Sequence, residues 1–187
     1  MIVVVVVVAI VVVVIVGGFL SFNRFVRQRQ LVDNSWSNVD TELKRRYDLI
    51  PNLVATVKGY AAHEQATLEA VVSARATAIA SHGDVATQAA DENMLVDALK
   101  VVLALRESYP DLKASREFLD LQQQLVTTED RIQAARRFYN ANVRDYNTRV
   151  ETFPSRLVAM LGHFDARPYF EVEPAIREAG APEVNLA

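Results

Sequence analysis

The chain has no cysteine in 187 residues, only three histidines, and a single tryptophan. Without cysteine there are no disulfides, no thiolate metal sites and no cysteine nucleophile, and the composition fits a reducing compartment. Glycine and proline number six each and fall near segment boundaries. The net charge of −3 gives no basic excess of the kind that nucleic acid would attract, and we expect no nucleic-acid partner. A second long hydrophobic run is also missing.

What is present is one such run, at the start. Residues 2–16 are wholly aliphatic and mostly valine, and no charge appears before Arg24. A hydrocarbon core of about 30 Å needs roughly 20 apolar residues of helix. Residues 1–22 meet that length. Valine is a mediocre helix former in water, but in lipid unpaired amides leave a lone segment no other local option. The competing readings are a buried core helix, which this length and apolarity disfavour, and a cleaved secretory signal. Nothing basic precedes the run, and Val16-Gly17-Gly18-Phe19 is a poor cleavage site, so an uncleaved anchor is the expectation. Arg24, Arg27 and Arg29 follow the span, with Lys44, Arg45 and Arg46 further on. The positive-inside bias then places the N-terminus outside and the rest in the cytoplasm.

The remainder is rich in alanine, leucine, glutamine, glutamate and arginine, which favours helix throughout. Phe25, Val32, Trp36, Val39, Leu43 and Ile50 form one apolar stripe continuous with the span. Pro51 suggests a turn or sharp kink at residues 47–52 and a new helix at 51–81, with Leu53, Val57, Ala61, Leu68, Val71 and Val72 on one side. Ser81-His82-Gly83-Asp84 is a stop signal. A third helix is expected at 85–108, ended by Tyr109-Pro110-Asp111, and a fourth at 115–150. The fourth carries a heptad seam of Phe118, Leu121, Leu125, Thr128, Ile132, Ala135, Tyr139, Asn142 and Tyr146. Pro154 ends it, a short helix at 155–161 follows, and Phe164, Tyr169 and Phe170 pin a tail. The expected fold is all-α: a single transmembrane helix (1–22) continuous with an antiparallel four-helix bundle (23–170), then a C-terminal tail (171–187). Trp36, Leu53, Leu68, Leu121, Leu125 and Ile132 are the expected core.

One stretch goes beyond composition. Ser35-Trp36-Ser37-Asn38-Val39-Asp40 is followed by Leu43-Lys44-Arg45-Arg46-Tyr47-Asp48-Leu49-Ile50-Pro51-Asn52-Leu53-Val54, then Thr56-Val57-Lys58-Gly59-Tyr60-Ala61 and His63-Glu64. Ser108 to Ala114, Thr128 to Ile132, Phe138-Tyr139-Asn140, Tyr146-Asn147, Phe153-Pro154-Ser155, Tyr169-Phe170-Glu171 and Pro182-Glu183-Val184 agree as well. This pattern resembles the LemA family of bacterial membrane-anchored proteins over nearly the whole chain. The resemblance implies an all-α bundle behind one N-terminal span, a short N-terminus outside and the domain in the cytoplasm. It supplies no catalytic residue, cofactor or established activity.

Four polar groups are the candidate sites. His63-Glu64 hints at a zinc helix, but the position for a second histidine is Thr67, so no metal is expected. On a helix spanning 51–81, Glu64 falls within the apolar stripe with Arg75. A buried ion pair, or a polar site inside the bundle, would follow. A di-metal bundle centre needs Glu-x-x-His, which is absent. The cluster around Arg45, Arg46 and Asp48, with Asn52 beyond it, reads as a solvated helix end, a basic surface near the membrane or a partner-binding corner. Asn140, Asn142, Tyr146 and Asn147 read as register-setting hydrogen bonds in the seam or as a ligand patch. The functional expectation is a membrane-tethered scaffold or protein-interaction module, with the bilayer and a protein partner or second copy as its partners. No cofactor, small-molecule substrate or catalytic set is identified. The alternatives are a metal-binding or enzymatic bundle using Glu64, and an adaptor transmitting a membrane state along the first helix.

Overall fold

A computed structural model of the chain describes residues 1–81 and 84–171. The described residues are helical with no strand. Helix α1 runs Ile2–Tyr60, α2 Gln65–Ala80, α3 Val85–Ala104, α4 Pro110–Ala114, α5 Arg116–Glu151 and α6 Ser155–Gly162, with a 3-10 turn at Leu105–Glu107. The start of α1 is long and apolar enough to cross a membrane, with a mean hydropathy of 3.5 over its best window, none of it buried in protein.

The expected break at Pro51 does not occur. α1 continues through Pro51 to Tyr60, and the turn comes at residues 61–64. Proline lacks an N–H, so it leaves the carbonyl four residues earlier without its helical partner. That carbonyl belongs to Tyr47, and Arg75 Nε donates to it at 2.7 Å. A side chain of α2 supplies the donor that the backbone of α1 lacks. Pro51 itself is exposed, so its ring crowds nothing in the core.

Other ends follow their local chemistry. Asp84 caps α3, accepting from the Thr87 N–H at 3.0 Å and from its hydroxyl at 2.6 Å. These bonds, the hydroxyl one foremost, hold the Asp84 carboxyl below its ordinary pKa. Of the expected stop signal, His82 and Gly83 lie outside the described residues. Pro110, read from sequence only as a terminator, opens the short helix α4 at its first turn, where its missing N–H costs nothing. α6 ends on His163 in the left-handed region (φ 51°).

The chain divides into two compact units, each with its own core. The first comprises Met1–Ser37 and Phe138–Pro168. Here Phe25 stacks on Phe164 (4.8 Å between centroids, 13° between planes) and meets Tyr146 edge-on at 6.2 Å. Asn147 brackets the backbone of Arg167, donating to its carbonyl at 2.9 Å and accepting from its N–H at 2.8 Å. Tyr139 donates to the Pro168 carbonyl at 2.9 Å. Trp36, expected in the core, is only half-buried and lies against Tyr139.

The second unit comprises Asn38–Arg137 and Tyr169–Ala187, of which residues 169–171 are described at the C-terminal end. Leu43, Ile50, Leu53 and Val57 of α1 are buried in it, as are Leu68 and Val71 of α2, Leu95 and Leu99 of α3, and Leu121, Leu125 and Ile132 of α5. Each such side chain contributes about 1.5–3 kcal/mol. Leu112 and Phe170 are also fully buried.

If Arg75 replaces the donor that Pro51 removes, the two residues are coupled. Arg75→Met should cost about 1–3 kcal/mol, the penalty for a stranded carbonyl. In a Pro51→Ala background the alanine restores a backbone N–H that can bond the Tyr47 carbonyl, and the same change should cost much less. Urea denaturation of the four proteins in detergent checks this, and equal costs in both backgrounds would refute it.

Candidate functional site: a buried charge cluster

The largest fully buried side chain is an arginine. Arg46 is inaccessible to solvent, as is Glu92, and Glu129 is 2% exposed. The placement follows from helical phase. On α1, Val39, Leu43, Arg46, Ile50, Leu53 and Val57 step by three and four residues, so Arg46 projects from the core stripe. On α3, Ala89, Glu92, Val96 and Leu99 do the same, and on α5 Glu129 lies between Leu125 and Ile132. Arg46 Nη1 donates to Glu129 at 2.9 Å and Nη2 donates to Glu92. Tyr47 donates its phenolic proton to the other oxygen of Glu92. Gln88 Nε2 donates to that same oxygen at 2.9 Å, and to the Tyr47 oxygen and the Ala78 carbonyl, both at 3.2 Å.

Three helices thus meet at one guanidinium and two carboxylates. An uncompensated buried charge costs several kcal/mol, and the planar fork of arginine is suited to two carboxylates at once. Burial, then the neighbouring Glu92 charge, pushes the Tyr47 phenol well above its ordinary pKa. Tyr47 is therefore a proton donor to Glu92 across the physiological range. Arg46 Nε is buried with no hydrogen-bond partner. The arrangement can hold three helices in one register.

The other candidates fall apart from this cluster. Arg45, Asp48 and Asn52 are exposed along one side of α1, and no helix ends there. Glu64 corrects the expectation of a buried ion pair. It lies half-buried at the start of α2 and accepts from the Tyr109 hydroxyl at 2.9 Å. That bond foremost raises the Tyr109 pKa. Arg75 turns to the Tyr47 carbonyl instead. The turn at residues 61–64 resets the helical phase, so Glu64 does not project from the stripe of residues 51–60. Asn142 is half-buried with Nδ2 unpartnered, and Tyr146 is buried against Phe25. Among the described residues no three His, Asp or Glu side chains converge as a metal site would require. The clustering of Glu92, Glu129 and Tyr47 escaped the sequence reading, although a charged residue filling a core step on each helix was the signal for it.

The LemA family profile matches residues 35–186. The chain belongs to the LemA family. Similar proteins include Protein LemA of Metamycoplasma hominis, 29% identical over 139 residues, covering 73% of this chain and 63% of that one. Magnetosome protein MamQ of Magnetospirillum gryphiswaldense is 24% identical over 181 residues, covering 83% and 66%. Magnetosome protein MamQ 2 of Paramagnetospirillum magneticum is 25% identical with the same coverage. The chain thus spans just under two thirds of the length of these relatives, and none of their names states a reaction.

The cluster generates two expectations. Arg46→Met strands two buried carboxylates and should destabilise the detergent-solubilised protein by about 3–5 kcal/mol. Glu64→Ala removes one half-buried hydrogen bond and should cost about 1 kcal/mol. Chemical denaturation gives both values, and a cost for Glu64→Ala matching that of Arg46→Met would overturn the assignment.

The second concerns pH. Unfolded, Tyr47 titrates near 10.0, and in the folded protein it keeps its proton to higher pH. Above pH 10 the folded state therefore binds more protons, and stability falls as pH rises from there. Tyr139 and Tyr146, raised by burial, act in the same direction. Tyr47→Phe should make this alkaline decline shallower without abolishing it. An unchanged slope in denaturation series across pH would show that Tyr47 ionises normally.

Proposed function

We propose that this LemA-family chain is a membrane-tethered scaffold or protein-interaction module. In this reading the first 22 residues cross the inner membrane once and the helical part works at the cytoplasmic face, assembling with itself or with a protein partner. The observation that carries the proposal is the uninterrupted α1. Its start is exposed and apolar, and the same helix runs on to residues that are buried in protein, from Phe25 to Val57. Arg24, Arg27 and Arg29 after the apolar run support the orientation. The basic-acidic side of α1, with Arg45, Asp48 and Asn52 exposed, is the surface we assign to the partner. A helix face fixed in register by the buried Arg46 cluster would present these side chains in a constant geometry.

A photo-crosslinker placed at Asp48 or at Asn52 in native membranes should give discrete protein adducts that resist carbonate extraction together with the chain. A reporter that is active only in the cytoplasm, fused after Ala187, should be active in the same cells. Crosslinking that yields only monomer from both positions would sink the interaction reading, and an inactive reporter would sink the orientation.

A further inference from the structure

The first unit holds a cleft of about 1280 Å³ that the charge cluster does not involve. It exceeds the roughly 300–1,000 Å³ of sites for drug-sized ligands. Its walls come from the end of the apolar run of α1, the C-terminal part of α5, and α6. One part is apolar, lined by Val14, Ile15, Phe19, Leu157 and Leu161. The other carries Arg24, Gln28 and Arg149.

Three observations say what would occupy it. The first is depth. With residues 1–22 in the hydrocarbon, Gln28 stands about 9 Å beyond Phe22 at 1.5 Å per residue. The polar layer on each side of a bilayer is about 5–8 Å thick. Arg24, about 3 Å beyond Phe22, is therefore at headgroup level, Gln28 just past its outer edge, and Val14, Ile15 and Phe19 at acyl-chain level.

The second is α6. It is held against the end of the span by the Phe22–Phe164 contact at 5.3 Å between centroids. Yet Leu157, Met160 and Leu161, at the spacing of one helix face, are 54%, 66% and 85% exposed. Such a face suits a helix lying in a membrane interface.

The third is charge. Arg149 reaches over the Phe25 ring at 5.7 Å, and its Nε, a donor, is buried without a partner. Burial, then the charge of Arg24, lowers the Arg149 pKa, so the two guanidinium groups act on one another. Among the described residues neither forms an ion pair. The acidic residue of the cleft, Asp145, is 70% exposed and lies 3.9 Å from Arg144.

We propose that this cleft binds one anionic phospholipid of the adjoining leaflet, its phosphodiester between Arg24 and Arg149 and an acyl chain along the apolar wall beneath α6. The inference rests on the membrane-anchored reading. Two cations favour a headgroup with net negative charge over a zwitterionic one, whose ammonium they would repel.

The test uses the full chain in vesicles of phosphatidylcholine with a minor share of phosphatidylglycerol. Native mass spectrometry after gentle extraction counts the lipids retained. The ratio of phosphatidylglycerol to phosphatidylcholine retained should exceed that of the vesicles roughly thirtyfold, the effect of two arginines near a lipid surface. Arg24→Gln with Arg149→Gln should abolish the enrichment. Arg149→Lys, which keeps the charge, should retain most of it. So should Arg27→Gln, which removes an exposed charge at a similar depth outside the cleft. Retained lipid that mirrors the vesicle composition would overturn the proposal. So would equal loss in Arg27→Gln and in the double variant. Flotation separates the two readings. A protein that fails to float with pure phosphatidylcholine vesicles contradicts the anchor itself. One that floats but retains lipid without preference contradicts only the lipid site.

Discussion

Arg46 is the residue on which the second unit depends. Its guanidinium is closed to solvent and bonded to one carboxylate on α3 and another on α5. A slip of any of these helices by one residue would turn one charge to an apolar neighbour and leave another unpaired. Apolar side chains alone tolerate such slips far better, because hydrophobic burial has no direction. The cluster therefore acts less as a source of stability than as a penalty on other registers. Tyr47 and Gln88 complete it by donating to Glu92, so that this buried acceptor meets several donors.

The same part of α1 carries the second constraint. Pro51 would normally end or bend a helix, and here α1 continues through it, with Arg75 reaching the carbonyl that the proline frees. Tyr47 is thus held at both ends, with its hydroxyl on Glu92 and its carbonyl on Arg75. Continuity of α1 is in this sense a tertiary property, set by a side chain on the next helix. That continuity carries α1 past Pro51 to Tyr60.

The helical class, the apolar run and the seam of α5 were legible in the sequence because each repeats one signal many times. Leu121, Leu125, Thr128, Ile132, Tyr139 and Tyr146 are buried as their spacing requires. Features that depend on a single distant contact were not legible. Pro51 reads as a break unless Arg75, far along the chain on the next helix, is known to face Tyr47. Glu64 read as buried only because its phase was counted along a helix that in fact turns at residues 61–64. Arg46 was harder still. It fills the step between Leu43 and Ile50, and a reading that admits only apolar residues to the stripe passes over it.

The central claim is that Arg46, Glu92 and Glu129 are buried because they satisfy one another. The most direct measurement is the stability of the triple variant Arg46→Met, Glu92→Leu, Glu129→Leu set against Arg46→Met alone. With no charge left to strand, the triple variant should recover most of the stability that the single change removes. A triple variant less stable than Arg46→Met would contradict the account, because the remaining carboxylates would then be stable in the core without their arginine.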